Sequence, residues 1–322
     1  MNKFKKIGLS ALAGSLVAMS AQAEISMSAD ASVALTKVNE SAKTSYYQSD
    51  SIYFTYAGET DGGLNVTVSV ELDGDANGSN AGVDSRSIKI GSDSLGTITY
   101  AGHGGDSVMG GWDDVTPTAY EEVYANVSND AGTAATGAIG GQTGNDGVWR
   151  YDSPSFSGLQ FHASYYAGVV ASASVSSYSD MGISFAPEMV EGLSLGYAQG
   201  SYDQAANVLG IDVSTMWVKY AYGPVTVGYQ VSDSDGPSAT HDDDTTAIGI
   251  SYAVSENLSV SYGEHSIDNG AWSGVDQEAS GFSASYTMGG TTIKAMKNSV
   301  DNIGGSATAD ENGYEIALSF AF

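Results

Sequence analysis

The residues with the clearest chemical potential are carboxylates concentrated in one long stretch, 102–147. No lysine or arginine accompanies them there; they are Asp106, Asp113, Asp114, Glu121, Glu122, Asp130 and Asp146. Uncompensated carboxylates attract cations and repel anions, so this stretch predicts electrostatic selection among small charged solutes. A structureless stretch longer than about 15 residues is uncommon in a compact domain and is usually functional or disordered.

Catalytic chemistry has little basis in the sequence. The histidines are scattered along the chain, at His103, His162, His241 and His265. No spacing connects one of them to a serine and an aspartate, so a Ser-His-Asp site is not indicated. The chain has no cysteine, which excludes a disulfide framework, a thiolate metal site and a cysteine nucleophile. We therefore expect a protein that is not an enzyme and requires no cofactor.

A second acidic cluster, next to His241, has the oxygen donors that Ca²⁺ prefers. Its members are Asp233, Asp235, Asp242, Asp243 and Asp244. Ca²⁺ accepts about six to eight oxygen ligands in flexible geometry. The spacing does not match an EF-hand loop, so a Ca²⁺ site here would have low affinity and draw on several loops. A solvated acidic loop without metal explains the same residues, and the sequence leaves both interpretations open.

The N-terminus has the pattern of a secretory signal peptide. Three lysines precede the apolar stretch 7–20, and 21–23 form a small-x-small cleavage site. Removing 1–23 takes away three of the eleven basic residues and no acid. The mature chain, 24–322, then has eight basic against 38 acidic residues, a formal charge of −30. Such a charge excludes nucleic acid as a partner, because phosphate contacts need a basic face.

Apolar and small polar residues alternate through most of the mature chain, which predicts β-strands with one apolar and one polar face. The alternation is clearest in 64–72. We identify sixteen such segments, and no apolar run approaches the roughly 20 residues of a transmembrane helix. Only 211–222 is ambiguous, because one register through Trp217 competes with another through Val218. A bulge, or a strand buried on both faces, would explain this segment.

The connections between these segments alternate in length. Short turns such as 60–63 and 223–224 alternate with long loops such as 39–49 and 233–244. Short turns at one rim and long loops at the other are typical of transmembrane barrels. The pattern predicts an all-β fold, a transmembrane up-and-down antiparallel β-barrel of sixteen strands. The third long loop, 102–147, is expected to fold inward and narrow the hole.

The C-terminus and two internal motifs resemble those of a known family. The final segment alternates large apolar with small or polar residues and ends on an aromatic; its large residues are Tyr314, Ile316, Leu318, Phe320 and Phe322. This pattern resembles the assembly signal of Gram-negative outer-membrane barrels. Together with "GTITYAG" at 96–102 and "WRYDSPSFSGLQFHASY" at 149–165, it makes the mature chain similar to the general, non-specific porins, in particular the alphaproteobacterial Rhodobacter-type branch.

The resemblance implies a homotrimeric outer-membrane barrel whose third loop lies inside the pore, with loop acids facing basic wall residues. By their position in the loop, these acids are Asp106, Asp113, Asp114, Glu121 and Glu122. Of the implied basic residues, Arg150 points inward by alternation. Arg86 shares parity with the outward Ile88, so either a bulge shifts the register or Lys89 is the wall cation. Within the loop, Pro117 after Thr116 suits the start of a short helix.

The expected function is a water-filled channel for passive diffusion of small hydrophilic solutes and ions, with a preference for cations. The expected partners are the outer-membrane lipids, two further copies of the chain, the β-barrel assembly machinery and the solutes. Ca²⁺ at the second acidic cluster is the one ion that the sequence suggests. The alternative is a closed structural or adhesive outer-membrane barrel whose acidic loops bind Ca²⁺ or surface partners.

Overall fold

The computed structural model describes residues 24–38, 43–74, 82–125, 146–168, 177–203, 210–237, 242–272 and 275–322. The signal peptide expected at 1–23 lies outside these ranges, as do Asp130 and His241.

Sixteen antiparallel strands make up most of the described chain. In chain order they are β1 Glu24–Lys37, β2 Ser45–Glu59, β3 Asn65–Gly74, β4 Gly82–Ser92, β5 Gly96–His103, β6 Val148–Asp152, β7 Leu159–Tyr166, β8 Tyr178–Phe185, β9 Leu193–Tyr202, β10 Ile211–Tyr222, β11 Val225–Asp235, β12 Asp243–Ala253, β13 Leu258–Asn269, β14 Gln277–Met288, β15 Thr291–Asp301 and β16 Glu311–Ala321. Within the described ranges, two short 3-10 helices, Gly110–Trp112 and Ile303–Gly305, lie between strands. Among the described residues, no helix has the length and apolar character needed to cross a membrane.

The sheet closes on itself because β16 pairs with β1 and every other strand pairs with its neighbours in the chain. At this seam Ala29 and Phe322 exchange two backbone hydrogen bonds, with N···O distances of 3.2 and 2.8 Å. The pairing continues to Lys37 opposite Tyr314. A closed sheet has no unpaired edge, which is what allows strands to lie in hydrocarbon. The prediction of a sixteen-stranded up-and-down barrel is confirmed.

Short turns alternate with long loops around the barrel, as the connection lengths predict. Gly223 and Pro224 alone separate β10 from β11, and two glycines separate β14 from β15. Gly223 and Gly289 have φ values of +56° and +61°, a left-handed conformation that glycine adopts without strain. The third long loop, by contrast, runs from residue 104 to 147 between β5 and β6.

Alternation along each strand separates an apolar outer face from a lumen face rich in small and polar residues. In β11, Gly228 and Gln230 are buried on the lumen side, whereas Val227 and Tyr229 are exposed on the outside. An exposed apolar outer face is expected for strands whose surroundings are lipid.

The ambiguous segment β10 follows the same rule without a bulge. Trp217 points into the barrel and Val218 points out. The pairing of β10 is uninterrupted, from Ile211 to Tyr220 with β9 and from Asp212 to Tyr222 with β11. Two registers compete in the sequence because both faces of this strand carry large apolar residues.

The pairings of β4 with β3 and with β5 each contain one register shift. These shifts leave Arg86 opposite Val70 on the outer face, in line with the exposed Ile88. Lys89 lies opposite Thr67 on the lumen face. A bulge is therefore present but does not bring Arg86 inside, and the register favours Lys89 as the wall cation.

The outer face of β16 generates a prediction about insertion. Leu318 pairs with Val33 and Ile293 at the seam that closes the barrel. A charge on the lipid face is destabilising, by about 2–4 kcal/mol for a basic residue near the midplane and less for an acid. Leu318→Asp with Phe320→Asp should therefore prevent accumulation in the membrane fraction. Deletion of Phe322 should do the same, because it removes the last residue of the C-terminal pattern that resembles an assembly signal. Ser319→Asp, which faces the lumen between Leu318 and Phe320, is the matched control and should insert. Normal membrane levels of the double variant would contradict the assignment of the outer face.

Candidate functional site

The described part of the third loop that follows β5, 104–125, lies inside the barrel, as predicted, and is held by side chains of the lumen wall. Along its length it contacts first β7 and β8, then β10 and β11, then β13 and β14, and finally β15 and β16. The loop therefore follows the wall around much of the barrel.

The first anchor of the loop is the buried carboxylate of Asp180 on β8, whose side chain is almost wholly inaccessible. The backbone N–H of Met109 donates to its Oδ2 at 2.8 Å, and Tyr178 donates to the same oxygen at 3.2 Å. The hydroxyl of Ser164 donates to Oδ1 and accepts from the N–H of Val108 at 3.3 Å. A buried carboxylate without such donors would be strongly destabilising, so these bonds fix the start of the loop.

The next contact between the loop and the wall is made by aromatic side chains. The ring of Trp112 meets Trp217 edge-on at a centroid distance of 5.5 Å. Two glycines provide the space: a Cβ on Gly196 would lie 2.5 Å from the Trp217 ring, and one on Gly182 would lie 3.0 Å from Trp112. The small inward residues Gly182 on β8 and Gly196 on β9 are therefore needed where Trp112 packs against the wall.

Gln230 on β11 is the second anchor and is only 2% exposed. Its Oε1 accepts from the N–H of Val115 at 2.8 Å. Its Nε2 donates to the carbonyl oxygen of Trp112 at 2.5 Å and to Thr215 Oγ1 at 2.9 Å. One side-chain amide thus binds both a donor and an acceptor of the loop backbone.

The helix expected from Thr116 and Pro117 is not present in the described loop, and that expectation is wrong. The backbone of this segment is held by side chains of the wall instead. The N–H of Ala119 donates to Ser261 Oγ at 2.9 Å, and Asn298 donates to the carbonyl oxygen of Val123 at 2.8 Å. Wall hydroxyls and amides therefore offer the backbone of this segment an alternative to a helical turn.

The predicted loop acids lie near one another. Asp114, Glu121 and Glu122 line one cavity between the loop and the wall. Asp113 is adjacent to Asp114 and close enough to Asp106 for the two charges to interact. Asp106 and Asp113 are exposed, and the other three are half-buried. The loop thus carries a continuous acidic strip.

The electrostatic environment of the strip disfavours ionisation of its glutamates. Partial burial raises the pKa of Glu121 above its ordinary value, and the carboxylates of Glu122 and Glu315 raise it further. Partial burial also raises the pKa of Glu122, as do Asp114 and Asp113. Lys294 on β15 acts in the opposite direction on Glu121. Cations drawn to this strip would therefore relieve mutual repulsion among its acids.

The basic wall residues have specific partners. Arg150 on β6 points into the lumen, as predicted, and its Nε bonds Asp152 Oδ1 at 3.1 Å. Its Nη1 donates to the carbonyl oxygen of Ser107 at 3.3 Å. Lys294 lies with Nζ 5.2 Å from the ring centre of Tyr120. Arg150 is therefore paired with a wall acid rather than with the acidic strip.

Asp152, His162 and Ser184 form a hydrogen-bonded series on the lumen side of β6, β7 and β8. Nδ1 of His162 is 2.6 Å from Asp152 Oδ1, and Nε2 is 2.9 Å from Ser184 Oγ. Sequence spacing did not connect them, because each stands on a different strand. The order matches a serine-hydrolase triad, which also requires substrate access and donors for the oxyanion. His162 is 6% exposed and packs against the edge of Trp112, so the series forms part of the wall beneath the loop.

The aspartates of the candidate Ca²⁺ site are divided between two faces of the barrel. Asp233, Asp235 and Asp244 belong to the outer face, with Asp233 opposite Asp244. Asp243 belongs to the lumen face, and Asp242 precedes β12. Among the described residues, no group of three or more His, Cys, Asp or Glu is arranged to hold a metal ion. Ca²⁺ binding stays a prediction.

Sequence reasoning found the acids but missed the residues that anchor the loop. Asp180, Gln230, Asn298 and Glu315 each hold the loop from a lumen position. For Asp180, Gln230 and Glu315 the available signal was a large polar or acidic side chain at an inward position of a strand whose other inward residues are mostly small. Such a residue needs a partner when it is buried, and the inward loop provides one.

Comparison with known proteins agrees with the architecture. Residues 8–271 match the family model described as Gram-negative porin. No curated protein sequence matches significantly.

Three solved structures illustrate the likeness. A mutant of the Rh. blastica porin is 17% identical, with a TM-score of 0.67 over 93% of this chain and 100% of that one. An anion-selective porin from Comamonas acidovorans is 13% identical, with a TM-score of 0.70 over 94% and 100%. The trimer form of OmpT from Vibrio cholerae is 11% identical, with a TM-score of 0.67 over 94% and 100%. At these identities the likeness concerns the fold.

The fit between loop and wall generates a prediction. A Cβ on Gly228 would lie 2.5 Å from Cδ of Pro117, a distance that requires the loop to move. Gly228→Ala should therefore leave the barrel intact but increase proteolytic cleavage within 104–125. Gly62→Ala, whose Cβ would meet nothing closer than 3.8 Å, is the matched control and should not change cleavage. Equal cleavage of the two variants would contradict the described seating of the loop.

Proposed function

Because this chain belongs to the Gram-negative porin family, and thus forms a channel in the outer membrane, we propose that its channel prefers cations and small neutral solutes to anions. The observation that carries this proposal is the acidic strip, Asp106 to Glu122, lying inside the barrel. Walls of low dielectric constant lined by one sign of charge concentrate the counter-ion. The barrel supplies the path for the solutes and the loop supplies the selection.

The charge of the lumen wall supports the same direction. Lumen positions of the described strands add the acids Glu24, Asp30, Glu59, Glu71, Asp73, Asp152, Asp180, Asp243, Glu311 and Glu315. The basic residues at lumen positions of these strands are Lys89, Arg150, Lys219 and Lys294. Arg150 is paired with Asp152, which reduces its effect on a passing anion. The balance of fixed charge is therefore negative.

The fold by itself does not determine selectivity. The Comamonas acidovorans porin, which is described as anion-selective, has the same fold at 13% identity. The sign of the selectivity must therefore come from the side chains at the aperture. In this chain the third loop supplies acids without one lysine or arginine.

We extend the proposal to assembly and partners. OmpT of Vibrio cholerae has been described in a trimer form, and a homotrimer in contact with outer-membrane lipid is the assembly proposed for this chain. The exposed apolar outer face is the surface for both contacts. The final strand, ending at Phe322, is the segment proposed to be recognised by the β-barrel assembly machinery. Small hydrophilic solutes are the proposed cargo.

The alternative function is a closed structural or adhesive barrel whose acidic loops bind Ca²⁺ or surface partners. The aspartates at the loop ends of β11 and β12 are compatible with Ca²⁺ binding by an open channel as well. They therefore do not by themselves favour a closed barrel. Single-channel current in planar bilayers separates the two functions, because a closed barrel passes none.

Neutralising the acidic strip should reverse or weaken the cation preference. One carboxylate attracts a cation 4 Å away by about 1 kcal/mol in water, which corresponds to about a fivefold change in local concentration. The quadruple change Asp113→Asn, Asp114→Asn, Glu121→Gln and Glu122→Gln should therefore move the reversal potential in a KCl gradient toward that of Cl⁻. Arg150→Gln should move it the other way and by less.

The matched control for the quadruple variant removes the same charge from exposed turns at the opposite rim. It combines changes to the amides at Asp61, Asp93, Glu188 and Glu191. Charges farther from the aperture than about 8–10 Å are screened at physiological salt, so this control should keep the native reversal potential. Equal effects of the two quadruple variants would show that total charge, and not the loop, governs selectivity.

Acidification provides a further prediction, whose sign follows from the pKa shifts. A carboxyl group is charged above its pKa, and the pKa values of Glu121 and Glu122 are raised. Cation preference should therefore begin to fall at a pH above the ordinary carboxyl range of about 4. Reversal potentials measured from pH 7.5 downward, at about 0.1 M salt, test this expectation. Loss of selectivity only below pH 4 would contradict it.

A further inference from the structure

Glu315 on β16 is a buried carboxylate at a lumen position, and its side chain is 1% exposed. Its Oε1 accepts a short hydrogen bond from the hydroxyl of Tyr120, which belongs to the third loop. The phenol of Tyr47 on β2 lies close enough to the same carboxylate for the two groups to interact. One side chain of the last strand therefore joins the loop to a strand near the beginning of the chain.

Small residues at the seam make this junction possible. Ala34 on β1 has Tyr47 and Ala317 as its two register partners. Ala34 and Ala317 are both buried. Because neither has a long side chain, the phenol of Tyr47 extends across β1 to reach Glu315. The cluster formed by Tyr47, Tyr120 and Glu315 is hereafter the seam cluster.

The ring of Tyr120 is held from a second direction. Nζ of Lys294 lies 5.2 Å from the centre of this ring. Lys294 occupies a lumen position of β15, opposite Ala317. A cation near the face of a tyrosine ring is attracted to it. Tyr120 is thus fixed at its hydroxyl by Glu315 and at its ring by Lys294.

The seam cluster affects the acidic strip because Tyr120 lies next to two of its acids in the chain. Glu121 and Glu122 follow it directly, between the backbone anchors at Ala119 and Val123. Among the described residues, Tyr120 is the side chain that ties this short segment to the last strand. A buried carboxylate deprived of its donors is costly, so Glu315 favours the conformation in which Tyr120 is docked.

We propose that Glu315 is a positioning residue that holds Glu121 and Glu122 at the aperture through Tyr120. The proposal rests on the function proposed above and names a residue on which that function depends. It also connects pore geometry to assembly, because Glu315 reaches its place only when β16 pairs with β1. The loop is therefore locked only after the barrel has closed.

The experiment uses the absence of cysteine from the chain. Val123 is partly buried against the wall cluster of Ala279, Val300 and Ile303, so a thiol introduced by Val123→Cys is partly shielded while the loop is docked and more reactive when it leaves the wall. The rate of modification by a charged methanethiosulfonate reagent, in trimers reconstituted in bilayers, reports how often the segment leaves the wall. The reversal potential in a KCl gradient is measured on the same channels.

Tyr120→Phe removes the hydrogen bond and keeps the ring and the charge. It should raise the modification rate about tenfold, the effect expected for loss of one hydrogen bond to a charged group, and move the reversal potential toward that of Cl⁻. Tyr124→Phe is the matched control in the same loop, since its ring packs on His265 and no hydrogen bond of its hydroxyl is found among the described residues. The control should leave both measurements unchanged.

Two changes at Glu315 complete the design. Glu315→Gln keeps an acceptor of the same length but removes its charge, so it should raise the modification rate by less than Tyr120→Phe does. Glu315→Ala should raise it as much as Tyr120→Phe does. If Glu315→Ala fails to assemble, Tyr120→Phe decides the question alone.

An unchanged modification rate in Tyr120→Phe would overturn the proposal. Because the rate measures docking directly, this result is independent of whether the acids govern selectivity. Failure of the proposed function would appear instead as an unchanged reversal potential in the quadruple acid variant.

Discussion

Every backbone N–H and C=O group of this chain that lies in the bilayer must find a hydrogen-bond partner within the protein, and the rest of the structure depends on this constraint. A closed antiparallel sheet satisfies it, with β16 returning to pair with β1. Sixteen strands enclose a hole that side chains alone do not fill, unlike the packed interior of an eight-stranded barrel. Closure therefore creates a wide lumen, and the third loop narrows it.

A related requirement applies to the loop inside the lumen, where the backbone groups that lie against the wall are shielded from water. The described loop contains only one short 3-10 helix, Gly110–Trp112, so these shielded groups need partners on the wall. Asp180, Gln230 and Asn298 provide them with side-chain oxygens and amides. The wall is therefore built to hold a loop, and the loop carries its acids inside the barrel. Because an anion-selective porin shares this fold, the cation preference proposed for this chain depends on the charge of those acids and not on the shape of the barrel.

Much of the fold followed from the sequence, because strand alternation and connection length are local properties. The third loop was recognised for the same reason, since its acids interrupt the alternation. The helix expected at Thr116 and Pro117 failed because local propensity took no account of the wall hydroxyls that bind the backbone there. The partners of Asp180 and Glu315 were not predictable, because they depend on which distant segments the closed barrel brings together. Alternation left Arg86 and Lys89 as alternatives, and only the pairing of β4 with its neighbours distinguishes them.

The central claim is that an acidic loop inside a closed barrel makes this channel prefer cations. The measurement that tests it most directly is the reversal potential of the native channel in a tenfold KCl gradient at neutral pH. The account predicts a potential with the sign of the K⁺ equilibrium potential. A potential with the sign of the Cl⁻ equilibrium potential would contradict it, because the carboxylates of the loop would then not control the ions that pass.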